Sequence, residues 1–150
     1  MKYCTRNRLL PFTLWLIAVS LQYSNLAYGQ SSGCKHEDSV AGEAQPQPKT
    51  WNDLYRSYAQ YRRCDDGALG EAYSEFVVYL LTEGWGQLEE VPPLIHAHPN
   101  FWKFVLRHVD ELMTPDQAKL IEQNATERCP KSALDLCKQL VARLKATSSS

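Results

Sequence analysis

Apolar residues recur at helical spacing along most of this sequence, and that periodicity is its strongest constraint on the fold. In the clearest case, large apolar residues occur at i, i+3, i+4, i+7 and i+10, at Trp51, Leu54, Tyr55, Tyr58 and Tyr61. This spacing places them on one face of an α-helix, whereas a half-buried strand alternates with a period of two. Residues 50–145 contain no strand-like alternation of useful length. We therefore predict an all-α domain, a small bundle of four or five short helices.

Capping and breaking signals divide this region. Thr50 followed three residues later by Asp53 is a variant of the capping box, which marks the beginning of a helix. The other predicted helix starts are Asp66, Pro99, Thr114 and the residue after Pro130. The helix that begins at Pro99 is predicted to reach about Met113. Between Trp85 and Pro99 the pattern is irregular because Pro92-Pro93 interrupts it, and we expect no more than a short turn there.

Residues 1–29 have the pattern of a secretory signal peptide. Basic residues precede a largely apolar stretch over residues 9–21, which is shorter than the roughly 20 residues that a membrane-spanning helix needs. Ala27-Tyr28-Gly29 matches the small-x-small pattern of a signal peptidase site. We predict cleavage before Gln30, export to the periplasm or the extracellular space, and no stable membrane anchor afterwards. The alternatives are an uncleaved anchor and, less favoured, lipoprotein processing at Cys34, which follows Ser31-Ser32-Gly33.

The rest of the chain divides by composition. Residues 30–49 contain no Leu, Ile, Phe, Tyr or Trp but two prolines, so we predict a disordered arm that cannot bury enough apolar surface to fold. Residues 50–145 form the predicted helical domain, and residues 146–150 a disordered tail. A domain of this size buries only about 60–65% of its unfolded surface, so we expect it to depend on disulfides.

Four cysteines follow the predicted cleavage site: Cys34, Cys64, Cys129 and Cys137. An even number in an exported chain predicts two disulfides, and sequence alone leaves three pairings open. We favour Cys64–Cys129, joining two helix ends, with Cys34–Cys137 tying down the arm. Cys129–Cys137 is the least favoured pair, because we expect most of its span to be helical and bridged Cα atoms must lie within about 7 Å.

Charge excludes one class of partner. The whole chain has a formal net charge of -1, and removal of residues 1–29 leaves 13 basic against 17 acidic residues. A protein that binds nucleic acid through a basic surface needs the opposite balance. We therefore predict no nucleic-acid partner.

Two groups of side chains could support catalysis. Three of the four histidines, His96, His98 and His108, lie within 13 residues and are followed by Glu111. Such a set could supply the ligands of a catalytic zinc, but the spacing matches no zinc signature and the sequence has no C-x-x-C pair. Glu71 and Glu75, one helical turn apart, could act as paired carboxylates on a glycan. The simpler interpretation is that these residues are structural or solvated, and we predict no metal and no other cofactor.

The aromatic residues favour a different function. All five tyrosines after residue 29 lie between residues 55 and 79. Tyr, Trp and Arg are enriched where proteins bind one another, so the first predicted helix could carry a recognition face made of Tyr58, Tyr61, Arg62 and Arg63. Packing of these rings in the core is the simpler alternative. We predict an exported, non-enzymatic binding protein, inhibitor-like or immunity-like, whose partner is another exported or envelope protein. The alternative is a small exported hydrolase that uses the histidines or the Glu71/Glu75 pair, acting for example on cell-wall glycans.

Overall fold

The computed structural model describes residues 33–110 and 112–148, and these residues form seven α-helices and no strand. The helices are α1 (His36–Glu43), α2 (Trp51–Tyr61), α3 (Gly67–Thr82), α4 (Val91–Ala97), α5 (Asn100–Arg107), α6 (Pro115–Glu127) and α7 (Leu134–Thr147). Short 3-10 turns lie at Arg62–Cys64, Trp85–Glu90 and Lys131–Ala133. The predicted all-α class is confirmed, with seven helices in place of four or five.

Two helices begin as their capping signals predict. The Thr50 hydroxyl accepts a hydrogen bond from the Asp53 N–H, and the Asp53 carboxylate accepts one from the Thr50 N–H. Thr114 and Gln117 form the same reciprocal pair at the start of α6, with Pro115 in the first turn. Each pair satisfies two of the backbone donors that a helix leaves free at its N-terminus.

The region around the prolines is more regular than predicted. Helix α4 forms where we expected at most a short turn, because Pro92 and Pro93 lie in its first turn, where a missing N–H costs no helical hydrogen bond. Helix α5 ends at Arg107 rather than near Met113. A turn follows, in which the Met113 N–H donates to the Asp110 carbonyl.

A helix replaces part of the disordered arm predicted for residues 30–49. Helix α1 contains no Leu, Ile, Met or aromatic residue but packs closely against the core at Gly42, where an added Cβ would lie 2.8 Å from Leu69 Cδ2. Cys34, just before α1, is bonded to Cys64. This disulfide and the close approach at Gly42 hold a segment whose composition alone predicts disorder. At the other end, α7 extends through Thr147 into the predicted tail.

The disulfides correct the favoured pairing. Cys34 is bonded to Cys64, with Cα atoms 4.8 Å apart, and Cys129 to Cys137, with Cα atoms 6.2 Å apart. The second pair is possible because its span is not continuously helical. Helix α6 ends before Cys129, Pro130 and a 3-10 turn redirect the chain, and α7 begins only at Leu134.

One apolar core joins the helices, and aromatic rings occupy much of it. Its largest fully buried side chains include Trp51, Tyr73, Phe101, Leu54, Leu69 and Leu80. None of the described helices is both long and apolar enough to cross a membrane. The predicted signal peptide, residues 1–29, lies outside the described residues.

Candidate functional site

A chain of buried polar side chains crosses from the start of α3 to the end of α5. The Asp65 carboxylate lies 3.1 Å from His108 Nε2, and it also forms an ion pair with Arg107. On the other side of the ring, His108 Nδ1 lies 3.0 Å from Ser74 Oγ. Ser74 Oγ in turn donates to Asp110 Oδ2 at 2.7 Å. We call this chain the buried polar network.

Burial decides the charge of its histidine. Removal from water, together with the nearby Arg107 guanidinium, lowers the pKa of His108 to about 4, against the opposing effect of the Asp110 carboxylate. The ring is therefore neutral at pH 7. A neutral ring that donates from Nε2 to Asp65 leaves Nδ1 as an acceptor. The single Ser74 hydroxyl proton therefore has three acceptors within reach, Asp110 Oδ2 at 2.7 Å, His108 Nδ1 at 3.0 Å and the Gly70 carbonyl at 3.3 Å.

The network contains the residue types of a hydrolytic Ser-His-Asp triad, but its geometry disfavours that chemistry. Ser74 lies inside α3, where neighbouring backbone N–H groups bond to carbonyls of the helix and cannot form an oxyanion hole. The Asp110 carboxylate, 2.7 Å away, would repel a developing oxyanion. A histidine with a pKa of about 4 is also a weak base at neutral pH. The arrangement is better suited to linking α3 to α5.

The structure does not bring the predicted histidine cluster together. His108 belongs to the buried polar network, while the exposed His98 ring stacks on Tyr55 with ring centroids 4.4 Å apart. His96 lines a separate depression between α4 and α7. Within the described ranges no group of three or more His, Cys, Asp or Glu side chains is placed to hold a metal ion. Glu111 lies outside the described residues.

The two carboxylates of the predicted glycan site have different surroundings. Glu71 and Glu75 are both exposed on α3. Glu75 lines the groove described below, and Glu71 does not. Catalysis by this pair stays a prediction.

The predicted recognition face lies partly beside a polar cleft between α2 and the start of α5. This α2–α5 cleft has a volume of about 310 Å³, and its lining includes Tyr55, Tyr58, Arg62 and His98. The Arg62 guanidinium lies 5.7 Å from the centre of the Tyr58 ring and donates to the Ala59 carbonyl. Tyr58 and Arg62 are therefore adjacent, as the helical spacing predicts.

The other two residues of the predicted face lie elsewhere. Tyr61 is only 5% exposed and belongs to the core, so it cannot form part of an accessible surface. Arg63 is exposed but does not line the cleft. Tyr58 is itself half-buried, with its ring centroid 4.7 Å from that of Phe104 and 5.4 Å from that of Phe101.

A third depression, which the sequence analysis did not anticipate, runs between α3 and α6. This α3–α6 groove has a volume of about 340 Å³. Three exposed apolar side chains line it: Leu112 is 59% exposed, Leu120 37% and Tyr79 36%. Val78 and Ser74, both buried, lie at its base. These three are a majority of the five exposed large hydrophobic residues in the described part of the chain.

The groove also has a definite charge. Glu75 on α3, Glu83 at the C-cap of α3 and Asp116 on α6 all line it. Its lining contains no Lys, Arg or His. The buried polar network is in contact with the groove at two points. Ser74 belongs to the network and also lines the groove, and the Asp110 carboxylate accepts a 3.0 Å hydrogen bond from the N–H of Leu112.

Taken together, the fold and its surface define a disulfide-linked all-α protein with one apolar groove bordered by carboxylates. No family model matches the chain, and neither the search of curated proteins nor that of solved structures finds a significant match. Any functional assignment therefore depends on the chemistry of the site itself.

Proposed function

We propose that this chain is an exported, non-enzymatic binding protein that docks a segment of another exported protein in the α3–α6 groove. The convergence of Tyr79, Leu112 and Leu120 on one groove carries the proposal. Single exposed apolar residues are ordinary on a protein surface, whereas several together usually mark an interaction site.

The export part is supported by two independent features. The sequence begins with a signal-peptide pattern, and the four remaining cysteines are paired in two disulfides. Such bonds persist in oxidising compartments and are rare in the cytosol. The test is the intact mass of the native protein. We expect a chain that begins at Gln30 and contains two disulfides, and a chain that retains Met1 would contradict export with cleavage.

Docking can be tested by photo-crosslinking in the compartment where the protein resides. A photo-reactive phenylalanine analogue would replace Tyr79 or Leu120, two groove positions. A matched control would replace Glu122, which is exposed on α6 but does not line the groove. We expect one polypeptide to be crosslinked from both groove positions, and not from position 122.

A second change tests whether the apolar contact matters. The substitution Leu112→Ser, made together with the crosslinker at position 120, should reduce the yield of that adduct severalfold. Equal adducts from positions 79, 120 and 122, or an adduct that is insensitive to Leu112→Ser, would contradict docking in the groove.

A further inference from the structure

The two sides of the α3–α6 groove carry regularly spaced side chains. On α3, Glu75, Tyr79 and Glu83 follow at intervals of four residues, so they form one ridge along the helix. On α6, Asp116 and Leu120 have the same spacing. The α3 ridge from residue 75 to residue 83 is about 12 Å long at a helical rise of about 1.5 Å per residue. That length matches roughly two turns of another helix.

The helices that form the groove are fixed to each other. Ile121 of α6 is fully buried, and the amide of the buried Asn124 donates to the Leu81 carbonyl of α3 at 3.4 Å. The groove is therefore already formed in the free protein. Docking would not require α3 and α6 to separate.

One of the acidic residues is poorly placed for the stability of the free protein. Glu83 is the C-cap of α3, where the helix dipole presents its negative end. A carboxylate there is mildly destabilising, and a cation brought to it would relieve the repulsion. Asp116, by contrast, lies in the first turn of α6, where a negative charge is favourable.

We infer that the occupant of the groove is a basic amphipathic helix of the partner, with apolar residues at i, i+4 and i+7 flanked by Lys or Arg. This inference rests on the proposed docking function. The apolar side chains would contact Tyr79, Leu112 and Leu120, as in other helix-in-groove complexes. The basic residues would lie against Glu75, Glu83 and Asp116.

Charge complementarity distinguishes this occupant from others. An acidic segment would be repelled by the three carboxylates of the groove. A second copy of the exported chain is also disfavoured, because 17 acidic against 13 basic residues remain after residue 29 and the same carboxylates would face each other.

The test uses the oxidised protein and two synthetic peptides, measured by fluorescence anisotropy. Both peptides carry three leucines at i, i+4 and i+7, and their flanking positions are Lys in one and Glu in the other. We expect the Lys peptide to bind at least about tenfold more tightly than the Glu peptide, because it can form several partly exposed charge pairs with the groove. Raising the salt concentration should weaken binding of the Lys peptide severalfold, because screening reduces the attraction between exposed charges.

Protein variants assign the effect to the groove. The double substitution Glu75→Gln/Glu83→Gln should reduce the preference for the Lys peptide to less than about threefold, by removing two of the pairs. Glu71→Gln is the matched control, since Glu71 is exposed on α3 outside the groove, and it should leave the preference unchanged. Leu112→Ser should weaken both peptides.

The outcomes separate the failure of this inference from that of the proposed function. If both peptides bind equally and Leu112→Ser weakens both, the inference that the occupant is basic is overturned, but the proposed docking function stands. If neither peptide binds, the inference that the occupant is an amphipathic helix is overturned. If positions 79 and 120 also give no crosslink, the proposed docking function is overturned as well. Two outcomes would show that the groove binds a segment of this chain and would overturn a separate partner. One is that a peptide of residues 1–29 binds more tightly than the Lys peptide. The other is that sedimentation detects a dimer and that Leu112→Ser dissociates it.

Discussion

The α3–α6 groove and the α2–α5 cleft have similar volumes, about 340 and 310 Å³, but their side chains have different roles. In the cleft, the ring of Tyr58 also packs against Phe101 and Phe104 of the interior. In the groove, Leu112 and Leu120 keep much of their surface in solvent. The comparison shows that an aromatic ring beside a surface depression can also be part of the core packing. We therefore base the proposed docking site on apolar side chains that remain exposed.

The largest expected effect lies beneath the cleft. Phe104 is buried and contacts the rings of Tyr58, Tyr73 and His108, with centroids 4.6–4.9 Å apart. Phe104→Ala should lower the free energy of unfolding by about 3–5 kcal/mol, because it opens a cavity among rings that cannot fully collapse. Urea denaturation with intact disulfides measures this loss. Phe104→Leu, which keeps most of the volume, should lose less than half as much, and equal losses would contradict a packing origin.

The buried polar network below the groove should make stability depend on pH. The pKa of His108 is about 4 in the folded protein and about 6.5 when unfolded, so the unfolded chain binds more protons between these values. The contribution of the neutral His108 ring to the free energy of unfolding is therefore fully present above pH 6.5 and is lost as the pH falls towards 4. The loss should be about 3 kcal/mol.

His108→Gln separates this effect from the titration of carboxylates. Gln does not titrate, so the variant should lose less stability between pH 6.5 and 4 than the parent protein does. NMR titration of the His108 ring gives its folded-state pKa directly. A pKa above 6.5 would mean that Asp65, 3.1 Å from Nε2, outweighs burial and keeps the ring charged.

A smaller effect tests the cleft itself. Tyr58→Ala should lower the free energy of unfolding by about 2 kcal/mol, because the half-buried ring packs on Phe101 and Phe104. Tyr58→Phe keeps the ring and should cost little. Binding of the Lys peptide should be unchanged in both variants. A loss of binding without a loss of stability would instead favour the recognition face predicted from the sequence.

Local signals in the sequence were enough to predict where α2, α3 and α6 begin. Thr50, Asp66 and Thr114 cap helices as their residue types predict, since such caps depend only on residues within one turn. Helix α1 and the disulfide pairing could not be predicted in this way. Both depend on contacts distant in sequence, such as Gly42 against Leu69 and Cys34 with Cys64.

The groove could have been found only in part. Val78, Tyr79 and Leu81 are apolar residues of α3 outside its main apolar stripe, and this pattern predicts a deeply buried helix. The structure buries Val78 and Leu81 but leaves Tyr79 36% exposed. Which of the three contacts solvent depends on where α6 packs, and the spacing of apolar residues within α3 does not show that. The network of Asp65, Ser74 and His108 was missed for the same reason, because its members come from different elements.

The smallest expected effect on stability is the sharpest test of the comparison. The double substitution Leu112→Ser/Leu120→Ser should lower the free energy of unfolding by only about 1 kcal/mol, because these side chains are 59% and 37% exposed and their removal opens no enclosed cavity. Thermal and urea denaturation measure the change, and Leu140→Ser, at a fully buried position, is the destabilising control. The same double variant should lose most of its affinity for the Lys peptide. A loss of stability close to that of Leu140→Ser would mean that the two leucines support the core, and the distinction between groove and cleft would then disappear.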